Sequence, residues 1–263
     1  MGRVHWVGGE KGGVGKSVVA RLLAQYWIDR AIPWTGFDTD RSHGALLRYY
    51  SDYATPIEVD RVEDLDRIIE ALDERNEEVV VDLAAQTEAG LDAWFDSGEV
   101  LELLDQLGHE SWYWYVIDDG KDSVRLLARL LDRLPRSSHV VCVLNRGRGR
   151  DFSLFEESKL RQRIEQRGGD VIELPALHPE SMLKMDAYDK SFWAAIHNTD
   201  PSEGPCLTRM QRQRAKVFIR KTQALLRGLF TAAAASERAE DPIASGIFAR
   251  SFAAEPDETT EDA

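Results

Sequence analysis

Residues 8 to 17 read GGEKGGVGKS, a stretch whose residue types point to one chemistry. An alternating run, RVHWVGG, leads into it, and SVVARLLAQYWIDR follows with Val19, Leu22, Leu23, Tyr26 and Trp27 on one helical face. The stretch is therefore a loop from a strand into a helix. Gly12, Gly13 and Gly15 let the backbone approach a ligand with no Cβ in the way, so the loop through Val14, Lys16, Ser17 and Val18 turns its amides toward one anion at the positive end of the helix. A phosphate chain fits such a cradle: Lys16 reaches the outer phosphates and the Ser17 hydroxyl binds Mg²⁺.

The strict phosphate-loop pattern asks for glycine where this chain has Glu10, and what the chain adds is Lys11. With K-G-G-x-G-K-[ST] complete over Lys11 to Ser17, the sequence resembles the deviant Walker A ATPases, the group of ParA and MinD partitioning proteins. The resemblance implies an ATP-dependent homodimer in which Lys11 reaches across to the partner's nucleotide, so that two lysines serve two sites. It also implies roles for acids at strand ends. In GFDTD, Asp40 orients the attacking water and Asp38 supports the lysine or the metal; in VVVDLAA, Asp82 holds Mg²⁺ through water. Positioning and charge neutralisation are most of what phosphoryl transfer requires. Where relatives place a glycine whose N–H meets the γ-phosphate, this chain has Ala84, which keeps the N–H but narrows the backbone angles. Asn145 stands where these ATPases pair with the adenine edge, which favours ATP over GTP, and Pro175 occupies the next base-contacting loop.

The elements that must position these residues alternate. IPWTGFD and EEVVVDLA read as strands ending in acids, and DLDRIIEALDE between them as a helix with Leu65, Ile68, Ile69 and Leu72 inward. Further strands are expected at 112–118, 139–144 and 170–174, separated by helices around 91–107, 121–134 and 153–167. The expected fold is α/β, one three-layer domain with a mostly parallel sheet flanked by helices. That domain is placed at residues 1–236, with a polar, acidic and disordered tail at 237–263 in which IASGIFARSF can dock.

Composition narrows the function. The net charge of −13 argues against a whole-surface nucleic-acid binder, yet Gly204 to Ser236 carries seven cations and no acid. Arg209, Arg212, Lys216 and Arg220 step by three, four and four along a helix, with Arg227 two turns on and Phe218, Leu225 and Leu229 on another face. Through four such cations a nonspecific DNA contact has a log–log salt slope of roughly −3.6. Trp112 and Trp114 read as core. No run is long and apolar enough to span a bilayer, no signal pattern opens the chain, and Cys142 and Cys206 make no disulfide framework or zinc site, so a cytoplasmic protein is expected.

A narrower resemblance covers nearly residues 1 to 230: LLDQLGHE, VLNRGRG, IELPAL and LTRMQRQRAKVFIRKTQALLRGLF are similar to conjugal-transfer and plasmid-stability ATPases of the TraL, MobD and StbB type. It implies a role in mobilising or maintaining plasmid DNA beside a relaxosome or secretion-channel partner. An ATP-dependent synthetase of the same fold and a nucleotide-dependent scaffold without turnover remain open.

Overall fold

The strand β1 (Arg3–Gly8) turns Val4 and Trp6 to one side and His5 and Val7 to the other, and all four are buried, so the sheet is covered on both faces. A computed structural model, it describes residues 2–40, 44–75 and 77–240. The elements run α1 (Lys16–Ile28), β2 (Trp34–Asp38), α2 (Ala45–Tyr49), β3 (Ala54–Pro56), α3 (Val62–Arg75), β4 (Glu78–Asp82), α4 (Glu88–Ser97), α5 (Val100–Gln106) and β5 (Glu110–Ile117). They continue with α6 (Lys121–Arg133), β6 (His139–Asn145), α7 (Ser153–Glu157), α8 (Leu160–Glu165), β7 (Asp170–Leu174), α9 (Pro179–Ala187), α10 (Phe192–His197) and α11 (Arg209–Glu240). Seven strands pair in the order β3-β2-β4-β1-β5-β6-β7, every pair parallel.

One face packs Val4, Trp6, Val79, Val81 and Tyr113 against Leu65, Ile68 and Leu72 of α3, Leu104 of α5 and Leu127 and Leu130 of α6. On the other, α1 lies across β1 and β4, and His5 meets Trp27, with the indole N–H of Trp114 donating to His5 Nδ1 at 2.9 Å. Burial lowers the His5 pKa and keeps the ring neutral. Trp112 and Trp114 are core residues, 2% and 0% exposed.

Several expectations change. A seventh strand, β3, joins the edge through Gly36 to Asp38. The single helices expected near 91–107 and 153–167 are each broken, at Glu99 (φ 47°) and Lys159 (φ 61°). Helix α1 is buried on more than its apolar face, because Arg21 and Gln25 are also inside. Arg21 pairs with Asp186 at 2.8 Å and lies over the rings of Tyr49 and Phe192, tying α1 to α9 and α10. Independently of those changes, the described residues divide into two units, one ending at Gln223 and the other beginning at Ala224. In the second, helix continues to Glu240, and Arg227, Leu225 and Leu229 belong to it. The expected docking segment IASGIFARSF, at 243–252, lies outside the described residues.

Candidate functional site

After β4 the chain crosses to the other side of β1, so the switch point of the sheet lies over the carboxyl end of β1, where open parallel sheets bind ligands. The loop carrying Lys11 to Gly15 sits there and α1 begins at Lys16. Gly15 has φ 104°, and a Cβ on it would lie 2.3 Å from the Asn145 amide nitrogen, so this position needs glycine for conformation and for space. Asn145 Nδ2 donates to the Val14 carbonyl at 2.7 Å and its Oδ1 accepts from the Gly147 N–H at 2.9 Å, latching the end of β6 to the loop. One amide hydrogen and one lone pair of Asn145 remain for a ligand. With Val18 and Pro175, Asn145 lines a cavity of about 460 Å³ whose walls include Leu174, Leu177 and Arg148. Asn145 and Pro175, the two base contacts expected from sequence, thus line one cavity of ligand-binding size together with Val18 of the loop's helix.

The two lysines behave differently. Lys16 is buried, and its ammonium donates to the Lys11 carbonyl at 3.1 Å. Burial lowers its pKa, against the attraction of Asp82 and Glu10. Lys11 turns away from the loop, and its ammonium bonds both carboxylate oxygens of Asp118, at 2.9 and 2.7 Å. Asp118 also accepts from Ser123 Oγ at 2.5 Å and from the Gly120 N–H at 3.0 Å. Burial would raise that carboxyl, but the bonds from Lys11, Ser123 and Gly120 outweigh it and hold the pKa below the ordinary value. Asp118 escaped the sequence reading, although it follows β5 as an acid just as Asp38 and Asp82 end their strands.

Asp82 is 3% exposed and its Oδ1 is buried with no hydrogen-bond partner among the described residues. Burial, then the charge of Asp38, pushes its pKa up to about 7, while a bond from the Ser17 hydroxyl and the charge of Lys16 pull the other way. Asp38 is buried too, and burial raises its pKa; its oxygens accept from the backbone N–H groups of Asp40 (3.0 Å), Leu46 (2.9 Å) and Leu47 (3.4 Å). Those bonds tie Asp38 to the start of α2 and to the residue that carries the Asp40 carboxylate. Two buried acids, one hydroxyl and an orphaned oxygen fit a hard divalent cation held between this protein and phosphate oxygens. Among the described residues no group of three or more His, Cys, Asp or Glu side chains makes a metal site by itself. Thr39 bridges the neighbouring strand ends: its hydroxyl donates to the Asp82 carbonyl at 3.1 Å and accepts from the Ala84 N–H at 2.7 Å. Ala84 is not among the residues with positive φ, so its Cβ costs the backbone nothing here.

No protein-family model matches the chain. It is 29% identical over 223 residues to Protein MobD of Acidithiobacillus ferrooxidans, across 82% of this chain and 96% of that protein. It is 27% identical over 235 residues to a Protein TraL of Escherichia coli, across 84% and 95%. Among solved structures, the MinD cell division protein of Aquifex aeolicus superposes with a TM-score of 0.52 at 12% identity, over 87% of this chain and 97% of that one. The chain has the MinD-like P-loop fold and distant homologues named MobD and TraL.

The basic helix α11 reaches the Asn145 cavity through Phe218. Arg209, Lys216 and Arg220 are exposed on α11, and Arg212 is half-buried with its guanidinium donating to the Leu207 carbonyl at 2.7 Å. Gln211, Ala215, Phe218 and Ile219 form the buried side of the same helix. Arg146 is paired with Glu173 at 2.9 Å. Among the described residues no helix is long and apolar enough to cross a membrane.

Proposed function

We propose that the chain binds and hydrolyses ATP and switches between monomer and ATP-bound homodimer in plasmid mobilisation, conjugal transfer or plasmid maintenance. The observation that carries this reading is the divergence of the two lysines: Lys16 stays in its own loop, while Lys11 is held on Asp118, where it serves no group of its own site. A lysine parked at the rim is available to a second copy's nucleotide. Asn145, Val18 and Pro175 receive the adenine, and the loop amides with Lys16 receive the phosphates. Mg²⁺, when bound, neutralises charge between the outer phosphates, with Ser17 and Asp82 as its protein side and Asp38 supporting them. Asp40 orients the attacking water, on a backbone that Asp38 pins. The names MobD and TraL support the plasmid setting, with α11 contacting DNA and a relaxosome or secretion-channel protein as partner.

Sizing by light scattering with Mg²⁺ and ATP tests the switch. Wild type dimerises, and Lys11→Ala and Lys16→Ala abolish or weaken the dimer; a wild type that binds ATP and stays monomeric sinks the trans role of Lys11. Asp118→Asn removes one charge of the tether and is expected to tighten the ATP dimer roughly twofold to fivefold, the range of partly exposed ion pairs. A looser dimer in that variant means Asp118 guides Lys11 rather than parking it.

Thr39 favours one second reading, a scaffold that binds ATP without turnover, because the Ala84 N–H that would meet the γ-phosphate is engaged. If that bond opens in the ATP state, Thr39→Val raises ATP affinity by up to about tenfold, the net value of one hydrogen bond, and Thr39→Ser leaves it unchanged. Titration with a fluorescent ATP analogue decides this, and equal affinity in all three proteins means the bond persists.

A further inference from the structure

A second cavity, of about 240 Å³, lies between α1, α10 and α11, entirely within the first compact unit. Its floor is apolar, formed by Phe192 and Ile196 of α10 and Ile219 of α11, all buried. Its rim carries Lys216 and Arg220 from α11 and the ring pair Trp193 and His197 from α10. Trp193 is 56% exposed, an unusual state for so large an apolar side chain. It is nonetheless held in place. The His197 ring stacks on it at 4.6 Å with 28° between the planes, His197 Nδ1 bonds the Trp193 carbonyl at 2.9 Å, and the Trp193 backbone N–H donates to Gln25 Oε1 at 3.2 Å.

The rim carries two cations, Lys216 and Arg220, against one carboxylate, Asp29, a net positive charge. Asp29 accepts from the amide of Gln25 at 2.7 Å and from that of Gln223, whereas Lys216 and Arg220 enter none of the described ion pairs. The two cations continue a stripe through Arg212 and Arg209, one every three or four residues, about 4.5–6 Å apart along the helix axis. An acidic peptide anchored in the cavity needs cations only beside it. A stripe that runs two turns beyond the cavity matches a polyanionic backbone, and the ordered, exposed indole at its end matches a flat base. In a duplex the bases are stacked inside and their faces are out of reach; in a single strand they are free to stack on an aromatic ring.

We propose that the α1–α10–α11 groove binds single-stranded DNA, with a base stacked at Trp193 over the apolar floor and phosphates along Lys216, Arg220 and the α11 stripe. The inference rests on the reading of α11 as a DNA-contacting helix and adds the strand state and the base platform. Because Gln25 belongs to α1, the helix that begins at the phosphate loop, the groove and the nucleotide cavity share one rigid element.

The test is fluorescence anisotropy of a labelled oligothymidylate of about 15 nucleotides, long enough for one site, and of a duplex of equal length, with the full chain, ATP and Mg²⁺. Wild type is expected to prefer the single strand, with a log–log salt slope of about −2.8 for four cations instead of the −3.6 of a duplex contact. Trp193→Ala weakens single-strand binding roughly tenfold, the range of one base stack, with duplex binding and ATP-analogue binding unchanged; Trp193→Phe restores a large part; Lys216→Ala with Arg220→Ala weakens both DNA forms. Equal losses on both DNA forms in Trp193→Ala, or a wild-type preference for duplex, overturn the proposal while leaving α11 as a duplex contact. If neither DNA binds and the ATP analogue does, the DNA part of the proposed function falls with it. Displacement of the oligonucleotide by an acidic peptide carrying one phenylalanine, with tighter binding of that peptide, makes the groove a peptide site.

Discussion

Asp82→Asn is expected to melt well above wild type at pH 8 in EDTA and level with it only below about pH 4. The folded carboxyl has a pKa of about 7 against the ordinary 3.8, chiefly because burial penalises its charge and Asp38 repels it. The folded state therefore binds a proton more tightly than the unfolded one, so stability is full below about pH 4 and is lost as pH rises through 7. Above that point the cost reaches at most about 4 kcal/mol at 1.36 kcal/mol per pKa unit. For a domain of this size that is on the order of 10 °C in melting temperature. Asparagine keeps the shape and removes the charge, so the variant loses the part of the pH dependence that Asp82 contributes. In exchange, ATP with Mg²⁺ stabilises the variant far less than wild type, since the orphaned Oδ1 is the oxygen a cation would engage. A wild type whose melting is flat from pH 5 to 8, with no gain in the variant, would falsify the picture of an uncompensated carboxylate.

What made the site legible in sequence is that its anion cradle is local. Lys11 to Ser17 holds its backbone donors, its charge and its helix start in seven consecutive residues, and Asp38 and Asp82 declare themselves as acids closing apolar strands. The parallel sheet followed from the alternation of such strands with helical periods. What stayed hidden depended on distance or on conformations with no residue signature. Lys11 meets Asp118 across 107 positions, and Thr39 meets the Ala84 N–H across 45. Lys159 breaks a helix in the left-handed region with no glycine beside it, and at the other break the left-handed residue is Glu99 rather than the adjacent Gly98 that caps α4. The strand β3 is three residues ending in Pro56, too short to show a period and tolerable only at a sheet edge. Helices α9 and α10 are short and mixed in polarity, and their places depend on Arg21 and Gln25, polar residues reaching out of a helix whose apolar residues drew the attention.

Lys16→Ala is expected to lower ATP affinity about 100-fold, whereas Lys11→Ala leaves the monomer's affinity within roughly threefold of wild type. The difference follows from where the two ammonium groups are. Lys16 is buried at the start of α1, already partly desolvated and aimed along the loop at the Lys11 carbonyl, an acceptor that a phosphate oxygen can replace with a far stronger, charge-assisted bond. Bonds to charged groups are worth about 1.5–3 kcal/mol each, so losing one or two accounts for the expected factor. Lys11 pairs with Asp118 in its own chain, so its removal costs the monomer's nucleotide nothing directly. Lys16→Ala also deprives Asp82 of its nearest opposing charge, which moves that carboxyl still higher and makes the nucleotide-free variant steeper in its loss of stability between pH 6 and 8. Calorimetric titration with ATP and Mg²⁺ on both variants, with melting curves across that pH range, checks the pair of statements. Equal losses of affinity in the two variants would place both lysines on one nucleotide and remove the basis for the dimer.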